Sequence, residues 1–150
     1  MLTIIVPFVV IAGFLLAPRF FSSNTVRITR VQTECKFYMF HRGESVHENH
    51  DYYHYYTFYF HVDVENSNTS IASNLKIVLD FKVNNNTITS DQRTIRTLEG
   101  GESRTVLFRE RVPNVHFFDA LGNIKGDVTA VITLYSGDEM LDQVISGIWQ

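Results

Sequence analysis

Residues 52–83 read YYHYYTFYFHVDVENSNTSIASNLKIVLDFKV. In the first half Tyr56, Phe58, Phe60, Val62 and Val64 share one parity, and Tyr55, Thr57, Tyr59, His61 and Asp63 the other. In the second half Leu75, Ile77, Leu79, Phe81 and Val83 share a parity against Asn74, Lys76, Asp80 and Lys82. Side chains alternate faces along a strand, so this period of two predicts two half-buried strands. Between them lies Glu65-Asn-Ser-Asn-Thr-Ser70. Its short polar side chains bond their own backbone and so favour a turn over continued ladder.

Strand patterns continue on both sides. Val26–Phe40 alternates with a change of phase: Val26 and Ile28 have one parity, Val31, Cys35, Phe37 and Met39 the other. A bulge or bend midway accounts for this, and such a strand is expected to pass from one sheet to the other. His41–Asp51 reads as a polar loop. Asn84-Asn85-Asn86 marks a tight turn, because asparagine tolerates positive φ. Thr87–Leu98 reads as a polar strand pair or a single kinked strand, at an edge of the sheet. Glu99-Gly-Gly-Glu102 is a turn, and Arg104–Val112 alternates with Val106, Phe108 and Val112 inward and Arg109 and Arg111 outward. Pro113 ends that strand, since proline cannot donate to a ladder. Asn114–Gly126 is read as a connection with one helical turn, its Phe117 and Phe118 closing the end of the core. Asp127–Tyr135 and Met140–Trp149 flank Ser136–Glu139 as a terminal hairpin. The fold expected is all-β: an immunoglobulin-like antiparallel sandwich of seven or eight strands over residues 26–150.

Ahead of it, residues 2–17 (LTIIVPFVVIAGFLLA) carry no charge. A helix of this length rises about 24 Å, slightly short of a typical hydrocarbon core, and Phe20 and Phe21 beyond Arg19 are expected to extend it while the arginine snorkels to the headgroups. Residues 1–21 are therefore expected to be an apolar transmembrane anchor helix, with Pro7 either kinking it or marking the first turn of the main helix, and 22–25 as a polar linker. A cleaved signal peptide is the rival, and no Lys or Arg precedes the run to support it. Arg19, Arg27 and Arg30 follow the run and by charge alone would place the domain in the cytoplasm. The turn-rich sandwich, with acceptor patterns for glycosylation at Asn68 and Asn85, favours an extracytoplasmic domain at the cell surface or in the periplasm.

The chain has 150 residues and a formal net charge of −3, with charges of both signs interspersed. No basic stripe runs along it, which argues against nucleic-acid binding. Cys35 is the single cysteine, and its strand setting makes a buried structural thiol the expected role. No nucleophile elbow, phosphate-binding loop or dinucleotide fingerprint is present, so no enzyme activity and no cofactor are expected. Five of the six histidines lie between positions 41 and 61, and His47, His50 and His54 are candidate metal ligands. Their spacing matches no finger or protease pattern, so the expectation is no metal site. Tyr53, Tyr55, Tyr59 and His61 form a stripe on the outward parity of the first strand, and large amphipathic rings on a solvent face suggest an interface. Phe117 and Phe118 are the alternative contact.

Asn66, Ala72, Asn74, Leu75, Leu98, Glu99, Gly101, Glu102, Ser103, Val106 and Phe108 together carry a resemblance. A strand, an Asn-rich turn, an Ala-x-Asn strand and a Leu-Glu-x-Gly-Glu-Ser turn resemble the immunoglobulin-like domains of the CARDB and FxLYD type. The stretch spans about a third of the chain. The resemblance implies a fold and no catalytic residues. A looser one is to archaeal pilin-like and archaellum-accessory proteins, which join an apolar helix to a β-sandwich; here Pro18-Arg19 cuts the helix short and no basic leader precedes it. Together these features predict a non-catalytic accessory or structural subunit of a membrane or cell-surface assembly. The alternatives are a filament subunit with residues 1–21 in the fibre core and a periplasmic metal carrier using the His41–His61 cluster.

Overall fold

The computed structural model describes residues 8–10, 25–41, 52–113, 116–117, 123 and 125–149, of which 8–10, 37–41, 52–54 and 149 are described by backbone alone. Among the described residues the elements are all strands: β1 (Phe8–Val10), β2 (Val26–His41), β3 (Tyr52–Asn66), β4 (Ala72–Val83), β5 (Asn86–Leu98), β6 (Ser103–Pro113), β7 (Val128–Ser136) and β8 (Glu139–Trp149). They form two antiparallel sheets, in the orders β1-β2-β3-β6 and β5-β4-β7-β8. The chain crosses between sheets after β3, after β5 and after β6. The resulting Greek-key arrangement of β2, β3 and β6 against β5, β4, β7 and β8 is that of an immunoglobulin-like sandwich.

The inward parity read from the sequence is buried along both strands. Phe58, Phe60, Val62 and Val64 of β3 and Leu75, Ile77, Leu79 and Phe81 of β4 are each at most 1% exposed. They face one another across the sandwich with Ile132 and Leu134 of β7 and Phe108 of β6. Burial on both inner faces holds the sheets together, at about 1.5–3 kcal/mol for each large side chain removed from water. Phe117 plugs one end. Its ring lies edge-on to Tyr56, Phe58 and Phe81 at centroid distances of 5.5, 5.7 and 5.8 Å.

Two turns follow their local chemistry. Asn84 and Asn85 both have positive φ (50° and 64°), the two-residue hairpin geometry whose twist matches the flanking strands. Gly137 supplies positive φ between β7 and β8. The turns after β3 and after β5 are tied together by Asn66, which is fully buried. Its Nδ2 donates to the Ser70 and Leu98 carbonyls at 2.8 and 3.0 Å, and its Oδ1 accepts from the Asn68 amide at 3.1 Å. Its backbone bonds Glu102 and Gly101. The turns approach so closely that a Cβ on Gly100 would lie 2.6 Å from the Thr69 carbonyl oxygen.

One expectation changes. The phase change in β2 is a bulge between Ile28 and Arg30, as expected, but the strand pairs with β3 along its whole length and does not change sheets. One extra residue, Thr29, resets the parity so that Ile28 and Val31 both face inward; no crossing is needed. The Ile28 amide is bonded instead by Asp142 Oδ2 of β8 at 2.8 Å, which seals that side of the sandwich. Within the apolar run expected as a helix, Phe8–Val10 is extended and pairs with Cys35–Phe37 of β2. The rest of residues 1–21 lies outside the described residues, as do linker positions 22–24. Among the described residues no helix is long and apolar enough to cross a membrane.

Candidate interaction face

The outward parity of β3 forms the midline of an exposed sheet face, flanked by β2 and β6. Cross-strand register sets its rows: Glu34, Tyr59 and Arg109; Lys36, Thr57 and Arg111; Gln32, His61 and Leu107; Arg30, Asp63 and Thr105. Residues opposite one another sit about 4.5–5.5 Å apart at Cβ, so these rows are contacts, not merely alignments.

Two tyrosines of the stripe, Tyr55 and Tyr59, are covered by cations. Arg111 lies over the Tyr55 ring at 3.7 Å from its centroid. Tyr59 is bracketed by Lys36 at 5.1 Å and Arg109 at 5.8 Å. A cation over a ring is attracted by the negative π-face, by about 0.5–1 kcal/mol at exposed sites. Thr57, between Lys36 and Arg111, is only 1% exposed despite its outward parity. Tyr55, Tyr59 and His61 are half-buried, while Arg109, Arg111 and Glu34 are exposed. Leu107, beside His61, is 49% exposed.

The rest of the face is differently wired. Asp63 accepts from Arg30 Nε at 2.7 Å and from Thr105 Oγ1 at 2.6 Å, and Arg27 pairs with Glu65 at 3.5 Å. Elsewhere Arg93 pairs with Asp91, and Arg104 with Glu102. That carboxylate also accepts the Glu99 amide, which together with Arg104 holds Glu102 below the usual carboxylate range. No ion pair involves Lys36, Arg109 or Arg111 among the described residues.

On the opposite side from Asp142, the seam between β5 and β6 holds a polar cluster. Glu110 is 8% exposed and accepts from Thr89 Oγ1 at 3.2 Å. Burial, and then the nearby Asp91 carboxylate, push its pKa up; the Thr89 bond and Arg93 oppose this. Arg93 also lies over the Phe108 ring at 5.2 Å. Cys35 is buried against the core, and desolvation pushes its thiol up to about 12. At neutral pH that thiol is not a nucleophile.

Of the residues singled out from sequence, Tyr55, Tyr59 and His61 do share one face. Tyr53 belongs to β3 by backbone pairing with Phe40, and His54 pairs with Met39; their side chains lie outside the described set. His47, His50 and Phe118 lie outside the described residues altogether. Phe117 is a correction: it is 0% exposed, wedged into the aromatic cluster, and so cannot serve as a contact surface. Its apolar ring gains more from closing the core than from solvent exposure. Among the described residues no group of three or more His, Cys, Asp or Glu could hold a metal ion. Asn68 and Asn85 are both exposed in turns.

No family model and no curated protein matches the chain. Among solved structures it is similar to a beta-glucuronidase from glycoside hydrolase family 2, with a TM-score of 0.57 and 12% identity over 82% of this chain and 12% of that one. It is also similar to a "putative beta-galactosidase" from Bacteroides fragilis, with a TM-score of 0.53 and 14% identity over 76% of this chain and 16% of that one. The chain thus spans less than a fifth of either protein's length. At these identities the likeness is one of fold.

Sequence reasoning missed the cations over the rings. Outward parity already marked Arg109 and Arg111, but only the β3–β6 pairing places them on Tyr59 and Tyr55. It also missed Glu110, whose inward parity between Phe108 and Val112 was a readable signal of an inner-face carboxylate.

Proposed function

We propose that this chain is a non-catalytic, membrane-anchored, extracytoplasmic sandwich that serves as an accessory or structural interaction subunit of a membrane or cell-surface assembly. The observation that carries the reading is the outer face of β2, β3 and β6, where two tyrosines, three cations that have no carboxylate partner among the described residues, and exposed Leu107 adjoin on one sheet. Tyrosine and arginine are the side chains most favoured as interface anchors, and a pre-ordered strand loses little entropy on docking. Within the immunoglobulin-like class we assign the CARDB/FxLYD type. Its support is that Asn66, Gly101 and Glu102 of that motif perform one structural task, locking two turns together.

Membrane attachment through residues 1–21 rests on the sequence. Residues 2–17 include eleven Leu, Ile, Val and Phe side chains. On an insertion scale of roughly 0.3–0.6 kcal/mol each, these favour a helix in the bilayer by about 3–7 kcal/mol. Edge pairing of three residues, Phe8–Val10, is the alternative state of the same segment, and each cross-strand contact there contributes only about 0.2–1 kcal/mol. Alkaline carbonate extraction of native membranes tests the anchor: the chain stays in the pellet, and its release would reject membrane insertion.

The contact face is tested with a Tyr55→Ala/Tyr59→Ala variant in the native host. It is expected to unfold cooperatively, within several degrees of the unaltered protein, and to lose co-migration with the native assembly. A folded variant that assembles fully would reject this face.

A further inference from the structure

We propose that the complement of this face is acidic: a protein segment whose Asp and Glu side chains dock on Arg109 and Arg111. The inference rests on the interaction-face reading and adds the partner's chemistry to it. Its basis is an imbalance. In the rows running from Tyr59 to Thr57, Lys36, Arg109 and Arg111 stand against Glu34 alone, on a chain whose net charge is −3. Arg27, Arg30, Arg93 and Arg104 each have a carboxylate partner; Arg109 and Arg111 have rings.

A guanidinium lying on a ring keeps its donors, because they point outward in its own plane. Stacking also restricts the side chain before any partner arrives, so less rotamer entropy is lost on binding a carboxylate. Charge-assisted bonds from arginine to carboxylate are roughly twice as strong as neutral ones and are often bidentate. Arg109 and Arg111 are two residues apart on one face of β6, hence about 6.6 Å apart along the strand. Acidic side chains at alternate positions of an extended segment have the same spacing. Leu107 continues the row and is 49% exposed, which offers an apolar contact at one end of the cations. That mixture suits a protein segment better than a uniformly polar polyanion or a plane of headgroups.

The test uses the full chain and fluorescent poly-L-glutamate, followed by anisotropy. Heparin and phosphatidylserine vesicles are the comparison arms. Poly-L-glutamate is expected to bind, to weaken as salt screens the charges, and to bind at least ten-fold more weakly to Arg109→Gln/Arg111→Gln. Arg96→Gln, an exposed β5 control, is expected to bind normally. Undiminished binding by the double variant overturns the proposal. So does tighter binding of heparin or vesicles than of poly-L-glutamate through the same arginines. Co-migration with the native assembly separates the two levels. If Tyr55→Ala/Tyr59→Ala loses it and Arg109→Gln/Arg111→Gln keeps it, the face is right and its acidic complement wrong. If both keep it, the face itself is wrong.

Discussion

Replacing Asn66 with alanine should cost this protein about 2–4 kcal/mol. The amide makes three hydrogen bonds, two donated from Nδ2 and one accepted at Oδ1, from a position with no solvent exposure. Each contributes about 0.5–1.5 kcal/mol net, and the abandoned Leu98 carbonyl, in a buried bond, adds a desolvation penalty of about 1–3 kcal/mol unless water enters. Relaxation of the turns and entry of water are expected to keep the total near the lower end of the sum of these terms. Asn66→Asp should be no better: it keeps the acceptor but turns a carboxylate oxygen toward two carbonyl oxygens. Ser67→Ala, which loses only an exposed bond to the Thr25 carbonyl, should change stability by about 0.5 kcal/mol or less. Urea denaturation followed by fluorescence of Trp149 and the tyrosines gives all three values. An Asn66→Ala midpoint within about 0.5 kcal/mol of the unaltered protein would refute the claim that this side chain locks the two turns.

Three other outcomes are expected. Leu79→Ala, at a site with 0% exposure, should cost about 2–5 kcal/mol in the same melts, and Lys76→Ala on the outer face about 0.5 kcal/mol; the reverse order would mean the faces of β4 are swapped. Glu110 binds its proton more tightly in the folded protein than in the unfolded chain, so its stabilising contribution is fully present below the ordinary value of 4.5 and is lost as pH rises through the raised one. Glu110→Gln still accepts from Thr89 and should raise Tm at pH 7 while leaving it nearly unchanged near pH 4; a lower Tm at pH 7 would contradict this. Residues 25–150 hold both sheets apart from β1, and expressed alone they should unfold in one cooperative transition by calorimetry. A broad, non-cooperative melt would show that the apolar segment or a partner completes the core.

The parts of the fold that were legible are those governed by neighbours in sequence. Phe58 to Val64 and Leu75 to Val83 alternate because each strand buries one face, and nothing distant disturbs that period. The positive φ of Asn84 and Asn85 follows from their own side chains. What was not legible depends on register between strands far apart in the chain. Arg111 lies on Tyr55 because β6 pairs with β3 across more than fifty residues of sequence. Asn66 reads locally as a turn residue, and its reach to Leu98 appears only when the turns meet. The phase change in β2 was visible, but that a bulge resolves it within one sheet shows only in the pairing with β3, and the Ile28 amide is bonded to Asp142, over a hundred residues away. Phe117 could be read either as a core plug or as a contact, and only the packing of Phe58 and Phe81 around it decided for the core.

The face itself is tested most directly by photo-crosslinking in the native host. A photoreactive residue replaces Tyr59 in one variant and Lys82, on the outer face of the opposite sheet, in another. Irradiation should give a discrete protein adduct from position 59 and none from position 82. Adducts from position 82 alone, or from neither position in a chain that folds and reaches its native membrane, would contradict the account.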